Sequence, residues 1–192
     1  MSEIKLNRYV AGCVFFVTLL VYILTLSKTV GFWYVGEFIA VAVLLQVPHP
    51  PGSPLFILLG RIASVIPTFA DIAARVHIMS ATASVVGILF TYLVSVKVIT
   101  HLRGAILSAS DRIITYGSSV IAALALAFST TYWANSIEAE VYGLSMLFTT
   151  AIIWLVLRWS EKSDEPHNEK YLLLIAYLIG LSVGVHLLAV LT

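Results

Sequence analysis

A single cysteine in 192 residues, Cys13, excludes an intrachain disulfide and a multi-cysteine metal site. Charge is scarce as well. Asp, Glu, Lys and Arg together make up 11% of the chain, against about a quarter in soluble domains, too little to cover a globular surface in water. Neither sign prevails: 11 Lys plus Arg face 10 Asp plus Glu for a formal +1, so no field gathers nucleic acid, and nucleic-acid partners are excluded. There is no spaced internal repeat, glycine-rich nucleotide loop or low-complexity tract. Apolar sequence is what the chain has in excess. Hydrophobic residues reach 60% and mean hydropathy is +0.99, in blocks long enough to cross a bilayer with the charges gathered between them. The expected fold class is all-α, a polytopic helical membrane protein.

Residues 9–27 (YVAGCVFFVTLLVYILTLS) carry no formal charge and as a helix reach roughly 28 Å, the thickness of a hydrocarbon core. Lys5 and Arg8 before an apolar run suggest a signal peptide, but the run is too long and no small-residue cleavage pattern follows. Further spans are expected at 77–99, 117–134, 141–158 and 171–191, making five. Residues 54–66, between PHPPGSP and Pro67, reach only about 20 Å and predict an interfacial or re-entrant helix. That assignment puts Lys5, Arg8, Lys97, Arg103, Arg112, Arg158, Lys162 and Lys170 on one side and Lys28, Arg61 and Arg75 on the other. The larger set marks the cytoplasm, with the N-terminus there. Residues 28–76 then form an extracytoplasmic loop and 159–170 a cytoplasmic one. If 54–66 crossed, this parity would reverse. The last span ends without a polar tail, so 1–192 reads as one transmembrane domain from the N-terminal part of a longer protein.

The same topology carries Glu37, Glu138, Glu140 and His186 to one membrane face, which predicts an extracytoplasmic site. Glu37 stands in almost continuous apolar sequence, where a carboxylate needs water, a cation or a hydrogen-bond partner; it is the leading catalytic or acceptor-orienting candidate, with helix capping as the bland alternative. His49 lies in the stiff PHPPGSP turn, suited to binding phosphate, relaying a proton or simply packing at the interface. Glu138 and Tyr142 share a helical face while Glu140 diverges from Glu138. These carboxylates with Asn135 suit either a divalent cation or ordinary solvation at a membrane edge, without a complete metal-ligand pattern. His186 follows Gly180 and Gly184, a weak helix-packing spacing, and either bridges helices or meets a leaving phosphate. Arg61 either snorkels to the headgroups or pairs with a lipid phosphate. Asp71 and Arg75 read as an ordinary helix pair. Trp33, Tyr132 and Trp133 belong to an outer aromatic belt and Trp154 and Trp159 to an inner one, although Trp33 also suits a sugar face.

FWYVGEFIA, VPHPPGSPLFILLGR, YWANSIEAEVYGL and YLIGLSVGVHLL, in this order and covering nearly the whole chain, resemble the N-terminal membrane region of the domain-of-unknown-function 2723 family. That family is similar to polytopic glycosyltransferases of the GT-C architecture, and its animal relative is a protein O-mannosyltransferase of the endoplasmic reticulum. The resemblance implies the N-terminal part of a GT-C-like transmembrane fold, a polyprenyl-phosphate sugar as donor, an active site on the extracytoplasmic face and a bacterial inner-membrane setting. It makes Glu37 the acidic residue of the first external loop. Many members have an aspartate three residues earlier; here Tyr34 stands there. His49 and its prolines, Glu138, Glu140, Tyr142 and His186 also match the pattern.

The resulting expectation is a membrane glycosyltransferase moving a sugar, mannose among the candidates, from a polyprenyl-phosphate donor to a protein or other hydroxyl acceptor. Glu37, Glu138 and Glu140 are the catalytic candidates; His49, His186, Arg61, Tyr142 and Trp33 are the candidates for binding substrate or phosphate. The partners are membrane lipid, donor and acceptor, and a divalent cation is an optional cofactor. The rival readings are a transporter or flippase subunit, which would hold these polar groups at midplane, and a noncatalytic scaffold of a glycosylation complex.

Overall fold

The structure, a computed structural model, describes residues 2–186. Its helices are α1 (Glu3–Leu24), α2 (Val35–Leu44), α3 (Pro54–Val65), α4 (Ile72–Arg103), α5 (Ala109–Arg112), α6 (Ser118–Ala127), α7 (Thr130–Ser136), α8 (Val141–Glu161) and α9 (Glu169–Val183), with a π-helical turn, Ile113–Gly117, joining α5 to α6. Among the described residues there is no strand. The chain is an all-α integral membrane protein.

Among the described residues three helices are long and apolar enough to cross a membrane, α1, α4 and α8, and a fourth crossing results if α5–α6 and α7 form one bent span. Five had been expected. The expected span at 117–134 breaks after Phe128 and turns by 66° into α7. The sequence STT at 129–131 supplies the break, because hydroxyl side chains compete for backbone partners and favour helix starts. The expected span at 171–191 is helical as far as Val183 in α9, whose 15 residues reach about 22 Å; Gly184 and Val185 turn out of the helix, and residues 187–191 lie outside the described residues. The short helix expected over 54–66 is present as α3, started by Pro54, whose missing N–H costs nothing in a first turn.

α4 is the axis of the bundle. Asp71 caps it by accepting from Ala73 N at 2.7 Å, and it ends at Gly104 with φ 89°. Its small residues let α8 come close. A side chain at Gly143 would occupy the place of Ser84 Oγ and sit 3.2 Å from Ser80 O, and one at Gly87 would sit 3.3 Å from Leu147 N. This is the small-residue seam of helices that associate by close packing within lipid. Leu20, Leu24, Phe16, Leu173 and Tyr177 remain exposed on the outer faces of α1 and α9, as a lipid-facing surface requires.

The chain leaves and re-enters one end of this bundle through α2 and α3. His77 Nε2 near the start of α4 donates to Thr29 O just beyond α1, at 3.1 Å, and Ser27 N donates to Ile137 O at 3.1 Å. The opposite end joins the start of α1 to α5 through Arg112 and Glu3, 2.7 Å apart, and the end of α4 to the end of α8 through Lys97 and Glu161. Asp71 and Arg75 do not form the expected helix pair. Arg75 turns instead to three carbonyls, those of Phe69, Ser64 and Ala70, because Asp71 is committed to the cap.

Candidate functional site

α2 and the loop after it build the centre of the site. The segment before α2 presents Phe32 and Trp33, 88% and 92% exposed, and Trp33 takes the left-handed backbone at φ 61°, uncommon for a bulky residue. α2 stops at Leu45, also left-handed, and Gln46 N returns to Val41 O at 2.9 Å. The proline-rich turn then reverses the chain, with Gly52 at φ 81°, and brings His49 onto Glu37.

Two hydrogen bonds join them. His49 donates its backbone N–H to Glu37 Oε1 at 2.7 Å and its ring Nδ1–H to Oε2 at 2.8 Å. The bond from the ring, then that from the amide, hold the Glu37 carboxyl below the usual carboxylate range. The imidazole also lies over the ring of Tyr34, centroids 4.3 Å apart and planes tilted by 33°, and Phe38 adds an edge at 5.9 Å. Tyr34, at the position where the resemblance expected an aspartate, therefore supports the histidine.

The segment between α7 and α8 supplies the other acids. Glu138 packs on the backbone of Gly31, where even a Cβ would stand 2.6 Å from Oε1. Glu140 is buried, and Ser80 Oγ donates to its carbonyl oxygen at 3.4 Å. Burial pushes the Glu140 carboxyl up to about 7, the Glu138 charge adds to the rise, and the Val141 amide and His49 oppose it. Ala139 between the two glutamates, Val141, and Val35 and Phe38 of α2 share one apolar core with Phe56 and Val185. That core fixes the acidic segment against the Glu37 helix.

Tyr142 and His186 approach each other on the same side, ring centroids 5.8 Å apart. Leu55 N at the start of α3 donates to Gly184 O at 2.7 Å, so the end of α9 is held beside the proline turn; Gly184 packs on Leu55, whereas a Cβ at Gly180 would meet no atom within 4 Å among the described residues. Thus Glu37, His49, Glu138, Glu140, Tyr142 and His186 gather at one end of the bundle. Arg61 is drawn to the end of α2, donating to Val43 O at 2.8 Å. Between α7 and α8 lies a cavity of about 550 Å³ lined by Ser129, Thr131, Tyr132, Asn135, Ser136 and Tyr142. Among the described residues no three His, Cys, Asp or Glu side chains converge as metal ligands. Sequence reasoning missed the stacking role of Tyr34, the seat of Glu138 on Gly31 and the Ser80 support of Glu140. Only the glycine beside an aromatic run hinted at any of them.

A model of the family described as "Protein O-mannosyl-transferase TMEM260 N-terminal domain" matches residues 35–192, beginning at the first residue of α2. The protein O-mannosyl-transferase TMEM260 of Mus musculus is 31% identical over 163 residues, 85% of this chain and 21% of that protein. The protein O-mannosyl-transferase tmem260 of Dictyostelium discoideum is 29% identical over 155 residues, 79% of this chain and 17% of that protein. The chain spans about a fifth of the length of these relatives. No solved structure matches it. By the extent of the family match, the chain belongs to the family of TMEM260 N-terminal domains.

Proposed function

We propose that this chain is the N-terminal part of a membrane glycosyltransferase that moves a sugar, mannose being the first to try, from a polyprenyl-phosphate donor to a hydroxyl on a protein or other acceptor. The observation that carries this reading is the pairing of Glu37 with His49 beside Glu138 and Glu140 in a chain of the O-mannosyl-transferase family. Transfer to a hydroxyl needs a group to take its proton, donors to meet the departing phosphate, and an apolar channel for the carrier. The Glu37–His49 pair serves the first need, and Tyr142 and His186 stand where a phosphate can be met. An apolar groove of about 490 Å³ between α3, α4 and α8, lined by Leu59, Ile62, Met79, Leu144 and Leu147 among others, suits an isoprenoid chain.

Gathering of the polar groups at one end of the bundle favours an enzyme over a transport path, which would place them at midplane. The cationic residues at the other end support a cytoplasmic side there and an extracytoplasmic Glu37 site, in a bacterial inner membrane as the motif resemblance to the domain-of-unknown-function 2723 family suggests. The test is donor-dependent labelling by the full-length protein in membranes across a panel of polyprenyl-phosphate sugars. A labelled product from one donor, lost in Glu37→Gln at equal expression, is the expected result. No product from any donor would transfer the weight to the scaffold reading.

A further inference from the structure

Both oxygens of Glu37 are already engaged by His49, one by the backbone amide at 2.7 Å and one by ring Nδ1 at 2.8 Å. An ionised carboxylate only accepts, so Nδ1 must carry the proton in this contact. That leaves Nε2 of a neutral imidazole with its lone pair, on a side chain that is 39% exposed. The ring is held on three sides: by Glu37 at its Nδ1 edge, by the Tyr34 ring at 4.3 Å over its face, and by Phe38 at 5.9 Å. The loop behind it is stiffened by Pro48, Pro50 and Pro51. A carboxylate that fixes the tautomer and orientation of a histidine, leaving the far nitrogen to work on substrate, is a recurring way of building a general base.

We infer that His49 Nε2, not Glu37, is the atom that takes the proton of the acceptor hydroxyl, and that Glu37 is a positioning residue acting through His49. The inference rests on the sugar-transfer reading. In the step, the acceptor oxygen bonds to the anomeric carbon as the bond from that carbon to the phosphate oxygen breaks. The electron pair of the broken bond leaves on the polyprenyl phosphate, and the hydroxyl proton passes to Nε2. The imidazolium that forms is stabilised by Glu37 across the same 2.8 Å contact and returns its proton to solvent.

Two measurements on the full-length protein in lipid nanodiscs test this. The first is the nitrogen NMR spectrum of histidine-labelled protein, with the His49 signals assigned by their loss in His49→Asn. A proton on Nδ1 and a bare Nε2 are expected, with the preference lost in Glu37→Gln; a proton on Nε2 in the wild type overturns the inference whether or not the protein turns over. The second is turnover of His49→Asn, whose amide N–H replaces Nδ1–H against Glu37 while offering no base. A fall of about 100-fold or more is expected, on the scale of general-base catalysis, with partial recovery in added imidazole. Turnover within a few-fold of wild type, or a loss that imidazole does not restore in a variant that remains folded, overturns it. Should His49→Asn fail to fold, the wild-type spectrum still decides the tautomer. The expected tautomer without transfer from any donor would remove the sugar-transfer reading, and the role of His49 with it, while leaving the pair itself intact.

Discussion

The two ends of the bundle treat their carboxylates in opposite ways. At the end that holds the N-terminus, four acids meet a permanent cation: Glu3 meets Arg112, Asp111 meets Arg103, Glu161 meets Lys97 and Arg158, and Glu165 meets Lys162, which with its hydrogen bond holds the Glu165 carboxyl low. At the other end, among the described residues, none of Glu37, Glu138 and Glu140 pairs with a lysine or arginine. Glu37 has a histidine, and Glu140 has burial and another acid beside it. Exposed pairs of the first kind lock a charge state and are worth little, about 0–1 kcal/mol each. Of the second kind, Glu140, pushed up to about 7 by burial, holds or releases a proton near neutrality, as proton-transfer chemistry requires.

The largest effect expected on the fold lies in the seam that joins the two ends. Gly143→Val must displace Ser84 and press on the Ser80 carbonyl, and a loss towards the upper end of about 1–3 kcal/mol is expected for overpacking, read as a lower melting temperature in nanodiscs. Next is Glu140. Its folded pKa of about 7 lies above the ordinary 4.5, so between those values the folded state holds more protons than the unfolded one and stability falls as pH rises, by at most about 1.4 kcal/mol per pH unit for one proton. Glu140→Gln should flatten thermal stability against pH across that window; an unchanged slope would remove Glu140 from the contrast. Tyr34→Leu, which deletes the ring stacked on His49, should lower turnover about 2- to 10-fold, the worth of one aromatic contact, with melting temperature little changed. The smallest effect belongs to the opposite end, where Glu161→Gln should change stability by less than about 1 kcal/mol and leave turnover alone.

Much of the fold could be read from apolar length alone. α1, α4 and α8 lie where mostly apolar runs predicted them, and the prolines around residues 54–66 correctly shortened α3. The break between Phe128 and Ser129 was hidden because TYW and LALAF, on either side of the hydroxyl residues that supply it, are as apolar as a continuous span. Site residues were legible by side, since parity alone sends Glu37, Glu138, Glu140 and His186 to one end. Their contacts were not. Glu37 and His49 are 12 positions apart and meet only because a left-handed Leu45 and the proline turn reverse the chain. Arg61 looked available for a lipid phosphate and Arg75 for Asp71, yet both spend guanidinium donors on carbonyls at ends of helices, acceptors that no side-chain pattern reveals.

Sugar transfer at the Glu37 end is tested most directly by measuring donor-dependent transfer for Glu37→Gln and Glu161→Gln side by side, in the same membranes and at equal abundance. Transfer lost in the first variant and kept at the wild-type level in the second is the expected result. Equal transfer by both variants would contradict the assignment of the chemistry to that end.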